Sequence, residues 1–214
     1  MNITRRQFLS HFRNVSLSLP FLPIEHHLQL TKREPIGIQP WSSIFEDSIE
    51  VSTKARIISG KLPEGFVGTL YRNGPGFRKF ANTLFDGDGM IRALRFLPDR
   101  SIQYDARFVH TPKYLKEKDS DHKLYRTVGT NRKRSNLARI PYNEVNTSVM
   151  LYDGHLLAME EGGHPWKLDQ DLTTIGKFNF DGQLPERIAY SAHPHVDPKT
   201  KEILGNTVSR ANAE

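Results

Sequence analysis

The stretch Ser191-Ala192-His193-Pro194-His195-Val196-Asp197-Pro198 holds the clearest chemistry in this sequence. Two histidines two residues apart point the same way if the segment is extended, and neutral imidazole is a common ligand of iron, zinc and copper. Pro194 and Pro198 bracket the turn and restrict it. An isolated His-x-His also occurs in surface turns that bind nothing, because a metal needs further donors. The chain has no Cys, so a metal held by this protein draws on His, carboxylates or backbone oxygen, and thiolate zinc sites, iron–sulfur clusters and disulfides are excluded.

Two other stretches invite a chemical reading and fail it. Asp86 and Asp88, in Phe85-Asp86-Gly87-Asp88-Gly89-Met90, are spaced like the start of a calcium loop. That loop needs an oxygen ligand and a glutamate where this chain has Met90 and Leu97. Arg72-Asn73-Gly74-Pro75-Gly76 follows an apolar run but lacks the glycine spacing and the Gly-Lys-Ser/Thr ending of a phosphate loop. Its Gly and Pro predict a turn.

The elements that would position such residues read as short strands. With 214 residues, 37% hydrophobic, the chain is long enough to bury a core, and 13 Pro and 15 Gly scattered between short apolar runs favour turns over long helices. Ile102, Tyr104, Ala106 and Phe108 alternate with polar residues, as in a half-buried strand. Val149–Tyr152 and His155–Met159 flank Asp153-Gly154, a pair that favours a tight hairpin. Asp197-Pro198-Lys199-Thr200 predicts another turn before Ile203-Leu204. Strands at this spacing suggest a sandwich, barrel or propeller, and no clean repeat chooses among them.

Residues 1–39 stand apart as a leader and linker. Thr4-Arg5-Arg6-Gln7-Phe8-Leu9-Ser10 resembles a twin-arginine export signal, although Arg13, Asn14, Pro20 and Pro23 interrupt the apolar run behind it. Phe8, Leu9, Phe12 and Val15 also fall on one helical face beside Arg5, Arg6 and Arg13, which suits a peripheral membrane surface. The expected location is therefore either exported or cytoplasmic and membrane-associated. No stretch is apolar enough to span a bilayer. The net charge of +6 is concentrated in Lys113–Arg139, which reads as a solvated charged loop; without a recognisable nucleic-acid motif it does not point to nucleic acid.

Read together, Leu70-Tyr71-Arg72-Asn73-Gly74-Pro75-Gly76, Phe85–Met90, Glu161-Gly162-Gly163 and Ser191-Ala192-His193-Pro194 resemble, in order and spacing, the carotenoid cleavage oxygenase family, most closely its bacterial apocarotenoid oxygenases. The resemblance runs over residues 40–204. It implies an all-β fold, part of a seven-bladed β-propeller, with residues 40–214 as the N-terminal part of the propeller domain. It also implies a non-haem Fe(II) held by four histidines and backed by glutamates, O2 as co-substrate, and oxidative cleavage of a carbon–carbon double bond in a carotenoid or apocarotenoid to carbonyl products.

On that resemblance His193 is an iron ligand, Glu161 steadies a ligand imidazole, and the Thr147 methyl crowds an unoccupied iron position, while His195 is a bystander. The three further ligand histidines of the family come after the first, and this chain stops at Glu214. His11, His26, His27, His110, His122, His155 and His164 all precede His193. The expectation is a propeller truncated after its first iron-ligand histidine and inactive as an isolated fragment. Two alternatives stand beside it: a dioxygenase cleaving stilbene-type phenolic olefins, and a non-catalytic membrane-surface remnant of an oxygenase.

Overall fold

The computed structural model describes residues 16–18, 47–77, 79–81, 83, 85–127 and 143–209. The expectations for residues 1–15 and 19–39, including Arg5, Arg6 and the apolar face at Phe8, Leu9, Phe12 and Val15, lie outside the described residues, as do Arg132-Lys133-Arg134. Strand β1 (Ser16–Ser18) pairs antiparallel with β2 (Val51–Ser59). With β3 (Gly68–Phe77), β4 (Asp88–Phe96) and β5 (Ile102–Phe108) they make a five-stranded sheet in the order β1-β2-β5-β4-β3.

The chain divides into two compact units. In the unit built from Val51–Leu70 and Ala93–Asp105, Leu62, Phe96 and Ile102 form the buried core, joined by Ala55, Ile57, Phe66 and Leu94. Phe66 meets Phe96 edge-on at 4.8 Å, a favoured aromatic geometry.

The other unit holds the candidate site. Strands β6 (Ser148–Tyr152), β7 (His155–Met159), β8 (Trp166–Leu168) and β9 (Thr174–Lys177) form an antiparallel sheet in sequence order. Such a four-stranded meander is the unit of a propeller blade. The predicted hairpin is present: Tyr152 pairs with His155, and Asp153 and Gly154 take φ of 45° and 74°. Both positive angles are what a two-residue turn matching the strand twist requires. Leu157, Met159 and Ala192 make a buried cluster that ties this sheet to the segment after β10 (Ile188–Tyr190). Strand β11 (His195–Val196) pairs with β12 (Ile203–Leu204) across the predicted turn, and β10 pairs with β13 (Thr207–Ser209). In that turn Asp197 Oδ1 accepts from the amides of Lys199 and Thr200, at 2.7 and 2.9 Å.

Two expectations are corrected. Arg72–Gly76 is not a turn; β3 runs straight through it. Among the described residues β3 is the outermost strand of its sheet, the position where proline is best tolerated. Gly76 is needed for packing rather than turning, because a Cβ there would stand 2.7 Å from Met90 Cβ and 2.9 Å from Phe108 Cε1. The fold is mostly β, with one short helix among the described residues, the six-residue α1 at Pro112–Glu117. Thr111 caps it by accepting the Tyr114 amide at 3.1 Å, and Pro112 occupies the first turn, where proline is tolerated. The run from Lys113 is therefore not simply solvated: Lys113 and Glu117 are buried.

Candidate functional site

The β6–β7 hairpin sets the register of the site. Ser148 pairs with Met159, so Thr147 just precedes one strand where Glu161 just follows the other, and both sit at the same end of the hairpin. The Thr147 amide extends the ladder by donating to the Met159 carbonyl at 3.0 Å. The Tyr190 amide donates to the Gly163 carbonyl at 3.0 Å, which brings the end of β10 against the Glu161-Gly162-Gly163 turn. Two residues on, the Ser148 hydroxyl donates to the Ala192 carbonyl, and the His193 amide donates to Ser191 Oγ at 3.1 Å.

These ties place His193 beside Glu161, with Nε2 3.5 Å from Oε1. The separation is within ion-pair range and longer than a hydrogen bond. Both side chains are exposed, and Ala192 between them and the core is fully buried, so the turn anchors one residue and presents the next. Glu161 approaches Nε2 and leaves Nδ1 on the far side of the ring from the carboxylate. His195 takes a different place, opposite Leu204 in β11.

One imidazole and one carboxylate do not hold a ferrous ion by themselves. Among the described residues no group of three His, Cys, Asp or Glu side chains could hold a metal. Three other described histidines are engaged elsewhere. His155 lies 3.7 Å from Asp169, His164 bonds the Pro185 carbonyl at 3.1 Å, and His110 stacks on Tyr114. The donor set fits one corner of an imidazole-rich iron site and no more.

A second polar cluster was not legible as a site in the sequence. Lys113 Nζ, on α1, lies 2.8 Å from Asp88, 2.9 Å from Glu117 and 3.4 Å from Glu144. Glu144 also accepts the Gly87 amide at 2.9 Å, and Glu117 accepts the amides of Leu124 and Tyr125 at 2.8 and 2.9 Å. Burial pushes the Asp88 carboxyl up to about 6 and the Glu144 carboxyl up to about 7, outweighing the pull of the Lys113 ammonium. Burial works against the charge of Lys113 too, but Asp88, Glu144 and Glu117 together hold it protonated well above the usual lysine range. The ammonium pairs with Asp88, one of the two carboxylates of the rejected calcium reading. The one hint available was the Lys113/Glu117 pair at helical spacing behind a Thr111-Pro112 start.

A family model, retinal pigment epithelial membrane protein (RPE65), matches residues 44–213. The chain belongs to this family, the carotenoid cleavage oxygenases. It is 34% identical over 151 residues to apocarotenoid-15,15'-oxygenase of Synechocystis, covering 66% of this chain and 31% of that protein. It is also 34% identical over 155 residues to isoeugenol monooxygenase of Pseudomonas nitroreducens, covering 69% and 31%. Among solved structures, a Synechocystis apocarotenoid oxygenase mutant superposes with a TM-score of 0.66 at 31% identity, over 74% of this chain and 35% of that one. The lignostilbene dioxygenase of Pseudomonas brassicacearum gives 0.65 at 31% identity, over 79% and 36%. The chain is thus mostly β and matches part of a propeller fold, and it spans about a third of the length of these relatives.

Proposed function

We propose that the protein is a non-haem Fe(II) oxygenase that cleaves a carbon–carbon double bond of a carotenoid or apocarotenoid with O2, giving two carbonyl products. In this reading the present chain supplies part of a seven-bladed propeller and one of its four imidazole ligands, His193. The observation that carries it is the approach of Glu161 to His193 at 3.5 Å, made by two segments far apart in sequence. Ferrous iron, when bound, supplies an open position for O2. The chain's own contribution is to aim the His193 ring through Glu161 and to crowd one side of the metal with Thr147. Among the described residues no three His, Cys, Asp or Glu side chains could hold a metal, so His193 acts in this reading with ligands from outside the described residues.

A second substrate class has a specific observation in its favour. Identity to the lignostilbene dioxygenase structure, 31%, equals that to the apocarotenoid oxygenase mutant structure, so a stilbene-type phenolic olefin stands as the alternative substrate. The test is to supply the whole gene product with ferrous iron and O2 and to offer an apocarotenal and a hydroxystilbene in turn. Carbonyl products identified by mass spectrometry from the polyene support the first reading, and products from the stilbene alone replace it. Stoichiometric iron in the purified 214-residue chain contradicts the assignment of His193 as a lone contributor. Residues 1–39 are proposed to direct export or to rest on a membrane surface; liposome sedimentation that is unchanged by deleting them removes the membrane role.

A further inference from the structure

Thr147 lies two residues after a strained point in the backbone. Val145 is fully buried and has φ of 44°, a region that β-branched residues rarely enter because Cβ crowds the backbone. Such a conformation persists only where the surroundings enforce it. Beside the Gly89 amide, which donates to the Glu144 carbonyl at 2.7 Å, one side chain holds this stretch. Asn73 Nδ2, on β3, donates to the Val145 carbonyl at 2.6 Å and to the Ser148 carbonyl at 2.8 Å, while its Oδ1 accepts the Gly74 amide at 2.8 Å. Both protons of the carboxamide are used, and they grip the chain on either side of Thr147.

A second carboxamide acts on the Thr147 side chain. Asn146 Nδ2 is fixed by the carbonyls of Phe85 and Gly87, at 2.9 and 2.7 Å, and its Oδ1 accepts the Thr147 hydroxyl at 3.3 Å. With its hydroxyl turned to Asn146, Thr147 has its methyl free to be presented. Ser148, whose carbonyl Asn73 holds, is also the residue whose hydroxyl binds the Ala192 carbonyl ahead of His193. One hydrogen-bonded framework therefore carries both Thr147 and the His193 turn.

We infer that Asn73 is a positioning residue: its carboxamide holds the strained Val145 turn and thereby sets where Thr147 stands relative to His193. The inference rests on the proposed reading of Thr147 and His193 as site residues. Aspartate cannot substitute, because it keeps the acceptor for Gly74 but turns an anionic oxygen toward two carbonyls. Glycine at 145 would remove the need for the clamp, since it adopts φ of 44° without strain.

The test uses the whole gene product carrying Asn73→Asp, and Asn73→Ala so that introduced charge is not the only variable. Amide exchange across residues 144–148 is read by mass spectrometry, alongside iron content, kcat and KM for an apocarotenal. Losing two hydrogen bonds is expected to raise exchange and lower kcat about tenfold, with iron content and KM nearly unchanged. Adding Val145→Gly to either variant should restore much of the lost kcat, and in a Thr147→Ala background Asn73→Asp should cost little further. Unchanged exchange, or a kcat loss that simply adds to that of Thr147→Ala, overturns the role of Asn73 and leaves the proposed function standing. Should neither variant yield folded protein, recovery of folding by Val145→Gly supports the clamp, and its failure overturns it. Normal turnover and iron in Thr147→Ala and His193→Ala overturns the site reading itself, and the role of Asn73 falls with it.

Discussion

Glu161 and His193 face each other at 3.5 Å although 32 positions separate them in the sequence, and each projects from the end of a different paired element. Glu161 lies just beyond β7, and His193 comes after β10 in a turn pinned by Ser148 and Ser191. The proposed orienting role of Glu161 rests on this approach of carboxylate to imidazole from two separate segments.

Removing either member should therefore have unequal effects in the whole gene product. On the proposed assignment of His193 as an iron ligand, His193→Ala is expected to abolish iron retention and olefin cleavage. Glu161→Gln keeps the shape and loses the charge, and is expected to weaken metal affinity about 10- to 100-fold. Elemental analysis after dialysis against a graded chelator series, with turnover measured on the same samples, checks both.

The buried cluster makes a pH prediction. Glu144 and Asp88 have carboxyls raised to about 7 and about 6, from 4.5 and 3.8, so the folded chain holds protons that the unfolded chain releases. Stability from these two groups is then full at low pH, below their unfolded values, and is lost as pH rises through the folded ones, from about 4 to about 7. The groups facing them are Lys113, Glu117, Lys123 and Asp86. Glu144→Gln keeps an acceptor for the Gly87 amide and removes one titration, so its melting temperature should fall less between pH 5 and pH 8 than that of the parent protein.

Lys113 is the ammonium shared by Asp88, Glu117 and Glu144, and it is nearly inaccessible. Lys113→Met keeps most of the volume and leaves those carboxylates buried without it. A loss of about 3–5 kcal/mol is expected from breaking a buried pair on one side. Urea denaturation of the two proteins at pH 8 measures it, and restoring acidic pH should narrow the gap as the carboxylates take up protons.

Gly76 and Gly74 lie two residues apart on β3 and should respond differently to alanine. At Gly76 the new methyl would meet Met90 and Phe108 below 3 Å, whereas at Gly74 its nearest neighbour is Arg92 Nη1 at 3.8 Å. Overpacking at Gly76 is expected to cost about 1–3 kcal/mol, and Gly74→Ala to be close to neutral. Thermal melts of the two single variants decide this.

What the sequence revealed was mostly local. The Asp153-Gly154 hairpin, the alternation of Ile102–Phe108 and the turn at Asp197 depend on neighbours within a few residues, and each appears in the fold. The Arg72–Gly76 stretch reads as a turn because its Gly and Pro signal one where nothing else decides. Here an outer position in the sheet and close packing on Met90 extend the strand. The Lys113 cluster joins positions 88, 113, 117 and 144, and no pattern in one sequence brings such distant charges together. Thr147, Glu161 and His193 stand out by motif resemblance; their meeting at one hairpin end is a product of register, which composition does not encode.

The outer side of β3 has a consequence outside the molecule. An outermost strand with an unbroken row of free amides and carbonyls is a template onto which a neighbouring polypeptide can zip. Here the Ser48 amide donates to the Gly76 carbonyl at 2.7 Å, so part of that border is already occupied and offers less purchase for edge-to-edge aggregation at high protein concentration.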